Sequence, residues 1–137
     1  MKTRQPLWVS CAGLLLAAAS AMGHHAFSAE FDSDKPVTLR GTLVKMEWVN
    51  PHGWIHLAIK DDQGAIINWM CETGAPNALL RRGWNRDTLK VGMQLVIDGY
   101  QAKDGTKKMT AEKVLLPDGS KLFAASSSPD AKNDPDK

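Results

Sequence analysis

Residues 37–60 read VTLRGTLVKMEWVNPHGWIHLAIK, and their pattern decides the fold. The first thirteen are rich in β-branched and apolar side chains, which suit a pleated, half-buried strand. Asn50-Pro51-His52-Gly53 then forms a turn cluster. In residues 54–60, Ile55, Leu57 and Ile59 alternate with Trp54, His56 and Lys60, and His52 is in phase with the second set. Successive side chains of a strand point to opposite faces. The odd-numbered residues should therefore face a core, and the histidines the other side.

Reading onward, Asp61-Asp62-Gln63-Gly64 closes a hairpin into a third strand at residues 65–72. There Ile67, Trp69 and Cys71 share one face, and Asn68, Met70 and Glu72 the other. Residues 73–83 predict a short helix, with Pro76 inside its first turn and Gly83 as its stop. After a linker at 84–92, residues 93–102 and 107–116 read as two more strands, with a last short one at 120–123. Three strands, one short helix and two strands is the order of a mainly β, five-stranded OB-like barrel with its helix between strands 3 and 4. An incomplete barrel or sandwich of the same elements is the alternative. The barrel domain is expected at residues 37–123, preceded by an arm at 24–36. The tail at 124–137 is Ser, Asp, Pro, Ala and Lys with one Asn; it lacks the apolar surface to offset ordering entropy and should be disordered.

Ahead of the arm, residues 1–23 have the three parts of a cleavable secretory signal. Lys2 and Arg4 make a basic start, residues 14–19 an apolar run, and Ala19, Ala21 and Gly23 offer small residues for cleavage. The apolar run is shorter than the roughly 20 residues that span a bilayer, so a periplasmic location without a membrane anchor is expected. Cys11 leaves with the signal, and Cys71 alone cannot form an intramolecular disulfide.

Cleavage places histidines at the new terminus. A cut after Ala21 gives Met22-Gly23-His24-His25, in which the amine, two deprotonated amides and the third-residue imidazole form a square-planar nitrogen set suited to Cu(II) or Ni(II). A cut after Gly23 makes His24 the first residue, so that its amine and ring clamp one copper and a second histidine completes a T-shaped brace. Solvated terminal histidines are the bland reading of the same residues.

The chain has 137 residues, enough for one small domain. It carries 17 basic and 15 acidic residues, and removal of Lys2 and Arg4 leaves 15 of each. That balance provides no electrostatic footprint for nucleic acid or anionic membranes.

Several motifs taken together carry a resemblance. They are His24-His25-Ala26-Phe27, Glu30-Phe31-Asp32 with Lys35-Pro36-Val37, Asn50-Pro51-His52, and Gly74-Ala75-Pro76-Asn77 running through Leu79-Leu80-Arg81-Arg82-Gly83-Trp84. In these the chain resembles a family of small exported bacterial proteins, domain of unknown function 6152. The resemblance covers residues 24–123 and implies an exported barrel without implying an activity. It also implies two histidines directly after the signal, which favours the cut after Gly23. Ala26 departs from the pattern, where serine is expected, and Cys71 stands where an apolar or aromatic residue is usual.

The candidate metal ligands are His24, His25, His52 and Glu72. His52, in the turn, is either a backbone-bonded turn residue or a third copper ligand. His56 is four residues further along a strand, roughly 13 Å away at about 3.3 Å per residue, so the two should not share one ion. Glu72 can support a ligand histidine or fill an axial position, against a solvated strand end as the plainer reading. Cys71 reads chiefly as a small core residue, with a soft-ligand role alongside Met46 or Met70 as the sharper one. Trp48 and Trp54 flank the histidine turn and can line a metal site. With Trp69 and Trp84 they also raise a second function class, an OB module that holds a small molecule, saccharide or protein partner on an aromatic face. No nucleophile elbow, phosphate loop, HExxH or haem-attachment motif occurs. Binding, of copper or of a small ligand, with another periplasmic protein as a possible partner, is favoured over turnover.

Overall fold

The computed structural model describes residues 27–125, of which 27–30 are helical. The expected signal peptide, His24, His25 and tail residues 126–137 lie outside the described residues. Six strands and one further short helix follow: β1 (Phe31–Glu47), β2 (Trp54–Lys60), β3 (Ile66–Glu72), α1 (Pro76–Arg81), β4 (Gln94–Ala102), β5 (Lys108–Leu115) and β6 (Lys121–Phe123). They form one sheet in the order β3-β2-β1-β4-β5-β6, antiparallel between neighbours. β3 and β5 also pair, in parallel, through Met70↔Lys108, Cys71↔Met109 and Glu72↔Thr110. That contact closes β1, β2, β3, β5 and β4 into a ring of hydrogen-bonded strands.

β1 makes the closure possible. Its 17 residues would run roughly 56 Å if straight, at about 3.3 Å each, whereas a folded chain of about 100 residues is only about 34 Å across. The strand therefore has to coil. It pairs with β4 over Phe31–Thr42 and with β2 over Thr42–Glu47, with register shifts between Phe31 and Pro36 and between Leu43 and Lys45. At the second shift Val44 is the extra residue and is left 49% exposed, as a bulge requires.

The alternation read in β2 is realised: Ile55 and Leu57 are fully buried, while Trp54 and His56 are half-buried on the other face. Leu43, Cys71, Leu95, Ile97, Met109 and Val114 meet them inside the ring. The helix stop at Gly83 is equally concrete. Gly83 has φ +86°, its N–H donates to Leu80 O at 3.2 Å, and the Trp84 N–H donates to Leu79 O at 3.1 Å. This is the bonding of a Schellman cap, and it turns Trp84 back beside Leu79 into the core, where the indole Nε1–H donates to Phe123 O at 3.0 Å.

Two expected boundaries move. Strand 1 begins at Phe31 rather than 37, because the polar stretch Asp32–Lys35 lies between two anchors on β4, Phe31↔Ala102 and Pro36↔Tyr100. Its start is held by a small apolar cluster of Phe27, Phe31, Ala102 and Tyr100. At the other end Ala124 and Ala125, assigned from sequence to the tail, are fully buried. Their backbone is tied in by Ala124 N–H to Glu112 O at 2.7 Å, Gly74 N–H to Ala124 O at 2.8 Å and Arg82 Nη1 to Ala125 O at 2.7 Å. Among the described residues no helix is long and apolar enough to cross a membrane.

Candidate functional site

Glu72 is the residue whose setting departs furthest from its sequence pattern. Its parity on β3 places it with Met70 on the outer face, yet it is only 6% exposed. The turn after β1 lies beside it. It brings His52 across the end of β3, with Nδ1 3.3 Å from Glu72 Oε1. The spacing suits an ion pair, but the alignment is not that of a hydrogen bond, and Nδ1 is sealed from solvent. The Gly53 backbone fixes the approach: its N–H donates to Gly74 O at 3.2 Å, and its carbonyl accepts from the Thr73 N–H at 2.9 Å. A side chain at position 53 would collide with Thr73, since a Cβ there would stand 2.6 Å from Thr73 Oγ1. Glycine is thus needed for close packing, and the His52 placement follows from it.

A carboxylate beside one ring nitrogen of a histidine is a common way of orienting the ring for a metal at the other nitrogen. The His52 side chain is 38% exposed, so its outer portion is open to a ligand while its inner nitrogen is held.

His56 belongs to a different group. Its Nε2 is 3.6 Å from Glu47 Oε2, sealed from solvent and without a hydrogen bond. Glu47 also takes a hydrogen bond from Lys45, and that ammonium, against a smaller opposing cost of burial, holds the carboxyl below its ordinary range. The two histidines thus face different carboxylates. Among the described residues no group of three or more His, Cys, Asp and Glu side chains is arranged to hold a metal.

The tryptophans separate as well. Trp69 and Trp84 belong to the core, and Trp48 packs against it with the Arg86 guanidinium 5.9 Å from its ring centre. Trp54 remains on the outer face, in register with Glu47 on one side and Glu72 on the other. Two shallow surface depressions, of about 410 and 420 Å³, lie around Arg40 and include neither Trp48 nor Trp54. Cys71 is fully buried, and burial pushes its thiol up to about 12, so it is neutral and enclosed.

Residues quoted from sequence only as motifs, without a role, fasten the arm. Phe27 packs edge-on to Tyr100 with ring centres 5.8 Å apart, and Glu30 accepts a hydrogen bond from Lys108. That bond is the main cause of the raised Lys108 pKa, to which the nearby Glu72 charge also contributes. The arm's root is therefore fixed on the side of the sheet that carries Glu72.

The family model described as Family of unknown function (DUF6152) matches residues 12–111. The chain belongs to this family. The matched residues include the histidine pair, the His52 turn, Glu72 and the whole of β1 to β4. No curated protein and no solved structure matches the chain.

Proposed function

We propose that this member of the family is an exported periplasmic protein whose strand ring is an OB-like barrel, and that it binds Cu(II) through its processed terminal histidines. In this reading the mature chain begins at His24. The terminal amine and His24 ring clamp the ion, His25 or His52 completes the nitrogen set, and Glu72 orients His52. The fold reading is supported by the connectivity: a ring of five strands closed by a parallel β3–β5 contact, with the helix between strands 3 and 4, is the order expected of such a Greek-key barrel.

The observation that carries the metal reading is the buried Glu72 carboxylate 3.3 Å from the sealed Nδ1 of a partly exposed histidine. Burying a carboxylate is costly unless it has a charged or hydrogen-bonding partner. A histidine whose outer nitrogen takes a metal becomes a better donor at its inner one. Two residues lie between His24 and Phe27, so the terminal amine is tethered to the described fold by about 10 Å of chain at full extension.

Cu(II) titrations of the processed protein test this. His52→Ala should weaken binding strongly, Glu72→Gln by about 10–100-fold as expected for an orienting partner, and His56→Ala very little. Affinity should fall as the pH drops, because protons compete with the metal for imidazole nitrogen. A large loss for His56→Ala with none for His52→Ala would overturn the assignment, and no loss for either would confine the site to the arm.

A further inference from the structure

The outer surface of β1, β2, β3 and β5 carries two short rows of side chains across the strands. Lys45, His56, Met70 and Lys108 form one, through the pairings Lys45↔His56, His56↔Met70 and Met70↔Lys108. Glu47, Trp54, Glu72 and Thr110 form the next. Residues directly opposed on one face of an antiparallel pair hold their Cβ atoms about 4.5–5.5 Å apart. At that spacing a ring nitrogen of His56 and the thioether of Met70 can reach one ion.

Three features set this pair apart from ordinary surface residues. Met70 is 39% exposed in mid-strand, between the buried Trp69 and Cys71 of the opposite face, so it adds nothing to the core. The Nε2 of His56 is sealed against Glu47, which leaves Nδ1 as the nitrogen available to a ligand. Trp54 stands two residues before His56 on the same face and diagonal to Met70, within the reach of an aromatic side chain, where an indole can offer a π face to a cation. The flanking ammonium groups do not exclude a cation, because Lys45 is bonded to Glu47 and Lys108 to Glu30.

Thioether is a soft donor that selects Cu(I) over divalent ions preferring oxygen and nitrogen, and imidazole is a borderline donor that binds copper as well. We propose that His56 and Met70, capped by Trp54, form a second copper site selective for Cu(I) and its analogue Ag(I), distinct from the Cu(II) site at the arm. All three residues lie in the folded sheet. The site therefore needs neither signal cleavage nor a free terminal amine, and it stands or falls apart from the terminal reading.

The test uses the protein with one residue added before His24, which disables the terminal clamp. It is titrated without oxygen with Cu(I) against a chromogenic Cu(I) chelator, and with Ag(I) followed by tryptophan fluorescence. One equivalent should bind, and Ag(I) should quench fluorescence. Met70→Leu and His56→Ala should each weaken binding by at least about tenfold, since loss of even an orienting partner costs that much, and His52→Ala should leave it unchanged. Met70→Leu keeps the side chain's volume at an exposed position and should retain the wild-type circular dichroism spectrum. Undiminished Cu(I) affinity in Met70→Leu would overturn the proposal, as would equal losses in His52→Ala and His56→Ala, which would indicate one shared site.

Discussion

Alanine at position 53 puts a methyl group where the Thr73 hydroxyl already stands. The new Cβ would lie 2.6 Å from Thr73 Oγ1, 3.2 Å from Glu47 O and 3.3 Å from Met46 Cε, and ordinary contact begins at 3.4 Å. The Met46 methyl can swing aside, but Thr73 is fully buried, with its hydroxyl bonded to Gly74 O at 3.1 Å and its N–H to Gly53 O at 2.9 Å. The strands must therefore separate by 3.4 − 2.6 = 0.8 Å at this point. Overpacking of this kind costs about 1–3 kcal/mol. At about 2 kcal/mol the melting temperature of a domain of this size should fall by about 8–16 °C. The same separation draws His52 away from Glu72, so Cu(II) affinity should fall as well. Thermal melts of Gly53→Ala, Thr73→Ala and the double variant give a coupling energy. Since Thr73→Ala removes the colliding hydroxyl, the double variant should be more stable than the sum of the singles by about 1 kcal/mol. A Gly53→Ala melting temperature within about 2 °C of wild type, a shift well under 1 kcal/mol, or strictly additive singles, would refute the reasoning.

Cys71 should resist a thiol reagent at pH 8 in the folded protein and react once urea is added, because only the thiolate attacks and burial pushes this thiol up to about 12. The raised value also sets a sign. Below the ordinary value of 9.0 both states keep the proton, and between 9.0 and about 12 the unfolded chain releases a proton that the folded one retains. Urea midpoints should therefore fall as the pH rises across that window; rapid labelling of the native thiol would contradict both expectations. Phe27→Ala removes the ring that packs on Phe31 and Tyr100. It should loosen the arm and weaken Cu(II) binding while leaving Cu(I) binding at His56 and Met70 intact, and unchanged Cu(II) titrations would separate the arm's root from the site.

The strands were legible because β-branched and apolar residues alternate with polar ones, and Ile55, Leu57, Trp69 and Cys71 needed only their parity to be placed inside. Phe31–Pro36 was not legible. Asp32, Ser33, Asp34 and Lys35 carry no strand signal, and the segment joins the sheet through pairing with β4 supplied from far along the chain. Ala124 and Ala125 are too small to register as core, although both are buried. Glu72 shows the limit most clearly, since parity turns it outward, yet it is buried, with His52 from the turn after β1 beside it. The pairing of His56 with Met70 likewise depends on register, and nothing in the sequence marks the bulge at Val44 that sets the neighbouring strand.

The terminal amine is the element of the copper reading that a single measurement can isolate. Cu(II) affinity is measured for the protein beginning at His24 and for the same protein carrying one additional residue before it, each confirmed by intact mass. The extension moves the amine and leaves His24, His25, His52 and Glu72 in place. The account predicts one tightly held Cu(II) in the first protein and clearly weaker binding in the second; equal affinity in the two would contradict it.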